Sequence, residues 1–150
     1  MLDRLRSFIN GLNTQASPDI DPKLATAVLL LEAAHGDGDF APSERAAIKA
    51  LLTNAFSLSE DELAALLATA EARSADLVQL HPYTTAIADK LTPDQRLTFM
   101  EMLWEVVYAD GVLDPEEDAL IRKLATLIYV DDRDRILARQ RVQARMQKAT

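Results

Sequence analysis

The chain has 150 residues, long enough for one compact domain, and its composition of 49% apolar residues, 5% aromatics and only four glycines favours helices over sheets. It has no cysteine, which excludes disulfides, thiolate metal sites and a cysteine nucleophile. The formal net charge of −8 argues against a surface that binds nucleic acid as a whole, because phosphate contacts need clustered lysines and arginines.

Helical spacing of apolar residues runs along the chain and predicts an all-α fold, a single bundle of seven or eight short helices in one domain over residues 1–150. Strong start signals support it: Asp21 stands before Pro22, and Ser59 and Thr92 each precede a Glu or Gln by three residues, the pattern of a capping box. Pro82 is expected to start or bend a segment. The predicted helices are 2–12, 22–36, 42–56, 60–73, 75–90, 93–109, 115–130 and 132–147.

No apolar run approaches the roughly 20 residues needed to cross a bilayer, and the N-terminus lacks the pattern of a secretory signal. We therefore expect a cytoplasmic protein. The predicted helix over 2–12 has an apolar stripe, which more often docks onto its own domain but leaves peripheral attachment to the inner membrane open. The stripe consists of Leu2, Leu5, Phe8, Ile9 and Leu12.

A repeat with an offset of 73 residues organises the chain. The first copy, EAAHGDGDFAPSE, covers residues 32–44 and the second, EVVYADGVLDPEE, covers residues 105–117; we name them the first and second acidic segments. Each joins two predicted helices, and the two halves are expected to pack as a pseudo-symmetric pair, because one helical hairpin cannot bury its apolar faces alone. The offset pairs Glu32 with Glu105, Asp37 with Asp110, Gly38 with Gly111, Pro42 with Pro115, Glu44 with Glu117, Ile48 with Ile121, Leu51 with Leu124, and Phe56 with Tyr129.

Both acidic segments match part of the EF-hand calcium loop, which has Gly at its sixth position and Glu at its twelfth. The first and third positions, where carboxylates would be needed, are Ala33 and His35 in one segment and Val106 and Tyr108 in the other, so neither is an ordinary EF-hand. A site for Ca²⁺ or Mg²⁺ could still form if the fold pools the carboxylates of both segments. These are Asp37, Glu44, Asp110 and Glu117, with Glu32 and Glu105 one turn or so back on the preceding helices.

Helix capping offers a competing explanation for these glutamates. Asp114 and Glu117 have the spacing of a capping box, and the helix macrodipole favours a carboxylate in the first turn. In the first copy Ala41 stands at the cap position and cannot accept a hydrogen bond, yet Glu44 is still present. Capping by itself explains the glutamate of the second copy only. A cation site, and a helix start that both copies inherited from the duplication, therefore both stay open as explanations.

The paired E-x-x-x-x-D-G-x-x-x-x-x-E pattern, spaced by about 70 residues in an acidic helical chain, resembles the tellurite-resistance TerB-like family over roughly residues 20–130. The resemblance implies an all-helical domain whose duplicated acidic motifs form a metal-ion site, and a link to tellurite resistance and envelope-associated stress complexes. It assigns the ligand positions to Asp37, Glu44, Asp110 and Glu117, with Glu32 and Glu105 as supporting acids.

Residues 131–150, outside this resemblance, form a basic C-terminal helix in an otherwise acidic chain, with six basic and three acidic side chains. Anionic lipid, nucleic acid and the chain's own acidic body stay open as its partners, although a solvated face is the commonest outcome. Its basic residues are Arg133, Arg135, Arg139, Arg141, Arg145 and Lys148.

We expect a non-enzymatic module that responds to a divalent cation and binds a protein partner, which could be membrane-associated, in a bacterial tellurite-resistance or envelope-stress system. A metal-independent protein–protein interaction module is the alternative; a metal-assisted hydrolase is a more distant one, because the sequence shows no open coordination position. His35 is not expected to be a catalytic base, since Tyr108 stands at its counterpart position. Trp104 is expected in the core. Neither a nucleic-acid partner nor a small-molecule substrate is expected.

Overall fold

The computed structural model describes residues 20–34, 42–109, 113 and 115–148, and over these ranges the chain forms seven helices and no strand. The prediction of an all-α fold is confirmed, while the predicted helix over 2–12 lies outside the described residues. No helix in these ranges is both long and apolar enough to span a membrane. The helices are α1 (Pro22–Ala34), α2 (Pro42–Phe56), α3 (Glu60–Ala75), α4 (His81–Lys90), α5 (Pro93–Val107), α6 (Pro115–Leu127) and α7 (Asp132–Lys148).

Three helix starts have the caps that the sequence predicts. The Ser59 hydroxyl accepts from the backbone N–H of Glu62, whose carboxylate accepts from the backbone N–H of Ser59. The bond from the Ser59 backbone N–H, and after it the Ser59 side chain, lower the pKa of the Glu62 carboxyl, because hydrogen bonds to the carboxylate favour its ionised form. Thr92 and Gln95 form the same capping box at α5. At α1, Asp21 Oδ1 accepts from a first-turn N–H at 2.9 Å.

The helix predicted over 75–90 is wrong. α3 continues to Ala75, residues 76–80 form an irregular connection, and α4 starts at His81. Pro82 lies in the first turn of α4, where its missing N–H removes no intrahelical hydrogen bond, so this proline starts a helix instead of bending one. Other described ends differ from the predicted ones by one to three residues: Ala75 for 73, Val107 for 109, Leu127 for 130 and Lys148 for 147.

A residue with positive φ directly follows α2, and another lies two positions after the end of α6; these two residues are 72 positions apart. Ser57 has φ 54° and Tyr129 has φ 63°. The N–H after each bonds to a carbonyl oxygen five residues earlier, at 3.2 Å in α2 and 2.8 Å in α6, which is the Schellman arrangement. Because the repeat has an offset of 73 residues, the helix end comes one residue earlier in the second copy than in the first. The pairing of Phe56 with Tyr129 is therefore wrong: Phe56 corresponds to Ile128, which is buried, whereas Tyr129 is 77% exposed.

The two halves pack on each other in a reciprocal pattern. α1 packs against α2 and α3, and α5 packs against α6 and α7 in the same way. α1 also contacts α5 and α6, while α5 contacts α2, so the first helix of each half touches the second helix of the other. α4 connects the halves and packs on α1 and α6. This is the pairing that the repeat predicts.

The centre of the bundle is made by α1 and α5. Leu29, Leu30 and Leu31 are consecutive and all buried, which requires apolar neighbours around the whole circumference of α1. α5 contributes Leu103 and Trp104, both fully buried. The prediction that Trp104 belongs to the core is confirmed.

Trp104 also joins α7 to α5. Its Nε1 donates to the backbone carbonyl of Arg135 at 3.2 Å, and its ring stacks on Tyr108 with 5.9 Å between the ring centroids. The guanidinium of Arg139 lies 5.3 Å from the centroid of the Trp104 ring, within the range of a cation–π contact. α7 is thus held by a directed hydrogen bond and a stacked cation in addition to apolar burial.

We expect Trp104→Phe to lower the free energy of unfolding by about 1–3 kcal/mol, because the Arg135 carbonyl loses its indole donor and the smaller ring leaves space behind. Urea unfolding followed by circular dichroism measures the change without relying on the single tryptophan of the chain. An unchanged unfolding midpoint would show that the indole does not hold α7.

We expect Tyr129→Gly to raise the free energy of unfolding by about 1 kcal/mol, because glycine adopts positive φ without the Cβ clash and the exposed tyrosine ring contributes little packing. The melting temperature should rise by about 3 °C. Tyr129→Ala is the matched control: it removes the same ring but keeps Cβ, and it should give no gain. Equal effects of the two variants would contradict the strain at this position.

Candidate metal centre

Glu44 and Glu117 occupy equivalent, buried positions in the two halves. Each is the last residue of its acidic segment and the third residue of its helix, α2 or α6. Glu44 is only 3% exposed and Glu117 only 6%, whereas the first-turn glutamates Glu60 and Glu62 of α3 are exposed. Burial of a carboxylate costs free energy that hydrogen bonds, a cation or a helix N-terminus must offset. The repeat therefore places one buried carboxylate, with its desolvation cost, at the same point of each half.

Glu32, the supporting acid of the first segment, lies on the last turn of α1 and is partly buried. Its Oε1 accepts a hydrogen bond of 2.6 Å from the hydroxyl of Ser74 on α3. A groove of about 350 Å³ runs beside it and is also lined by Glu71, which pairs with Arg45 of α2 at 2.5 Å. Two carboxylates of the first half therefore face one shallow space.

Glu105, the supporting acid of the second segment, is bound by α7. Arg145 donates from Nη2 to Glu105 and from Nη1 to Glu101 one turn earlier on α5. The hydrogen bond to Glu101 first, and then that to Glu105, raise the pKa of the Arg145 guanidinium, because both favour its charged form. Arg141 lies 3.9 Å from Glu101. A groove of about 380 Å³ opens beside these side chains.

Tyr108 ends α5 at the position where a calcium loop would need an oxygen ligand in the second segment. Its hydroxyl accepts from Arg139 Nε at 2.7 Å and from Gln143 Nε2 at 3.3 Å. Both donors belong to α7, so the tyrosine side chain points toward that helix. Tyr108 thus serves the contact between α5 and α7.

Four of the six predicted ligands lie within the described residues, and Asp37 and Asp110 lie outside them. Within residues 20–34, 42–109, 113 and 115–148, no group of three or more acidic or histidine side chains is placed to hold a metal ion. The described candidates offer only carboxylate oxygens, the donors that Ca²⁺ and Mg²⁺ prefer. Their donor chemistry suits a hard divalent cation, but the four described glutamates do not by themselves form a ligand group. The six-residue site stays a prediction.

The residues that sequence reasoning missed are the partners of Glu105. Two of the possibilities left open for the basic helix, a solvated face and contact with the chain's own acidic body, both occur: Arg133 and Arg141 are exposed, while Arg135 is buried and Arg139 and Arg145 bind side chains of α5. A signal was present in the sequence: two acids four residues apart on α5, Glu101 and Glu105, match two arginines four residues apart on α7. Such spacing puts each pair on one helix face and favours face-to-face pairing.

Comparison with known proteins gives one family. The model described as "Tellurite resistance protein TerB" matches residues 23–140, which covers α1 to α6 and the first half of α7. No curated protein and no solved structure gives a match. The matched range includes both acidic segments and extends ten residues beyond the range of about 20–130 that the motif pattern indicates. The chain therefore belongs to the TerB family of tellurite-resistance proteins.

Proposed function

We propose that this TerB-family protein is a non-enzymatic scaffold of a tellurite-resistance or envelope-stress system, in which binding of a divalent cation to the two acidic segments fixes the relative packing of the two halves. A protein partner then binds the arrangement of the two halves that the cation fixes. Membership of the family supports the link to tellurite resistance. The cation, its ligands, the partner and the absence of catalysis belong to the proposal.

The observation that carries the proposal is the equivalent burial of Glu44 and Glu117. Desolvation of each carboxylate costs free energy, and a divalent cation coordinated by its oxygens would offset part of that cost. Because the first helix of each half contacts the second helix of the other, a change at the start of α2 or α6 reaches both halves. The bound ion would supply positive charge; Glu44 and Glu117 would hold it with Asp37 and Asp110.

A metal-independent interaction module is the second candidate, and the connection between α3 and α4 favours it. Val78 in this connection is 91% exposed and lies, with Leu77, along an open groove of about 600 Å³. An exposed apolar side chain beside a groove suits contact with another protein. Calorimetry distinguishes the two candidates: the second predicts no heat with calcium, magnesium or manganese.

We expect calcium to raise the melting temperature of the natural chain and to leave that of the double variant Asp37→Asn, Asp110→Asn unchanged. At a calcium concentration of 100 times Kd, the gain in unfolding free energy is about 2.7 kcal/mol. A thermal melt with and without calcium measures the difference. Asp61→Asn, Asp89→Asn is the matched control, since both aspartates are exposed and lie outside the acidic segments. A calcium response equal to the natural chain's in the first variant would contradict the site.

Glu44→Gln and Glu117→Gln separate cation binding from helix capping. Gln fills the third position of a capping box as Glu does, so helix starts are retained while an anionic ligand is lost. We expect each variant to melt without calcium at or above the natural temperature, because a buried charge is removed, and to lose most of the calcium response. Variants that respond to calcium like the natural chain would contradict a ligand role for these two residues.

A further inference from the structure

The connection between α3 and α4 carries a projecting apolar side chain beside an open groove. Val78 is 91% exposed and lines the groove of about 600 Å³, whose lining also includes Ile20 and Tyr83, both buried. A side chain exposed to this degree contributes almost no apolar burial to the monomer. One surface, which we name the Val78 surface, therefore holds both an apolar projection and an apolar hollow.

Hydrogen bonds on both sides of Val78 hold this connection in place. The N–H of Leu77 donates to the carbonyl of Ser74 at 3.2 Å. Further along, the carbonyl of Leu80 accepts from the N–H of Tyr83 at 3.0 Å. Because the backbone on either side is already fixed, a contact made by Val78 costs less ordering entropy than a contact made by a free loop.

The Val78 surface also carries one charge of each sign. Arg73, in the last turn of α3, and Asp76, the C-cap of α3, both line the groove and are both exposed. Within the described ranges, neither side chain takes part in a salt bridge. A carboxylate at a helix C-terminus lies beside the negative end of the macrodipole, so a cation placed opposite Asp76 would be stabilising.

A twofold axis would pair each feature of this surface with its complement. In a symmetric dimer both protomers use the same patch, so that if one residue contacts a second across the axis, the second contacts the first as well. A patch that holds a projection and a hollow, and a cation and an anion, is complementary to itself. Val78 of each copy would enter the groove of the other, and Arg73 of each copy would face Asp76 of the other.

We propose that the Val78 surface binds a second copy of this chain in a symmetric dimer. The proposal names the occupant of the groove that the metal-independent candidate leaves unidentified, and the dimer needs no cation, so it is independent of the cation site. Few side chains contribute to the contact, and the dimer is therefore weak, with a Kd of the order of 10–100 µM.

Sedimentation velocity in EDTA, over concentrations of about 5–500 µM that bracket this Kd, should show the average mass rise from monomer toward dimer. Val78→Asp should weaken the dimer by about tenfold or more, because it removes two buried isopropyl groups per dimer and buries charge instead. Arg73→Glu should weaken it by about tenfold, because it places like charges opposite each other twice. Lys49→Glu is the matched control: it changes the net charge equally, and Lys49 is exposed on α2 outside the groove.

Reversal of both charges distinguishes a second copy from any other occupant of the groove. The double variant Arg73→Glu, Asp76→Lys exchanges the two signs on both protomers and should regain most of the lost affinity. For the same reason, Arg73→Glu chains mixed with Asp76→Lys chains should form mixed dimers in preference to dimers of either variant alone. Thermal melts by circular dichroism check that each variant is folded.

A natural chain that stays monomeric over the whole range would overturn the dimer, as would a double variant that associates no better than Arg73→Glu. Equal weakening by Lys49→Glu would also overturn it, because the effect would then come from net charge alone. None of these results touches the cation proposal, since every sample contains EDTA. Loss of a calcium response with the dimer intact would instead overturn the cation site by itself.

Discussion

Two equivalent helix starts each bury a carboxylate, and the fold must offset the cost of removing its charge from water. Glu44 and Glu117 are nearly inaccessible to solvent in a chain of net charge −8, and desolvation of a carboxylate is tolerated only where other groups compensate it. The helix N-termini give part of that compensation. A cation shared with the neighbouring aspartates would give more, and it would do so at both places through the same chemistry.

The packing of α1 and α5 couples the helix start that follows each acidic segment to the core of the whole bundle. α1 is surrounded by other helices because its leucines leave it no polar side, and α5 takes the same role in the second half. Each of them contacts the second helix of the other half. Closely packed interiors transmit strain because they have few voids to absorb it, so a ligand bound at the start of α2 or α6 would alter a shared core.

Local chemistry in the sequence was enough to predict most of the helices. The capping boxes at Ser59 and Thr92 depend only on residues three positions apart, and both form as predicted. The connection over residues 76–80 was missed because its leucines continue a helical spacing, while Pro82 was compatible with either a bend or a start. The end of the second helix comes one residue earlier in the second copy than in the first. This difference depends on where the Schellman motif forms, which the 73-residue offset of the repeat does not predict.

The candidate site was predictable in its residues but not in their partners. The repeat identifies Glu32 and Glu105 as equivalent acids, yet Ser74 and Arg145 are brought to them by α3 and α7, helices that lie 40 or more residues away in sequence. Such contacts depend on the packing of whole helices. For the same reason the sequence left the partner of the basic helix open, because a face with many arginines is solvated only if no acidic helix lies opposite.

Manganese titration followed by NMR tests most directly whether the two acidic segments share an ion. Mn²⁺ broadens amide signals near its binding site, so substoichiometric addition should broaden the first turns of both α2 and α6 before signals elsewhere on the acidic surface. Weak broadening spread over all exposed carboxylates, with Glu44 and Glu117 no more affected than Glu60, would contradict a cation site built from the repeat.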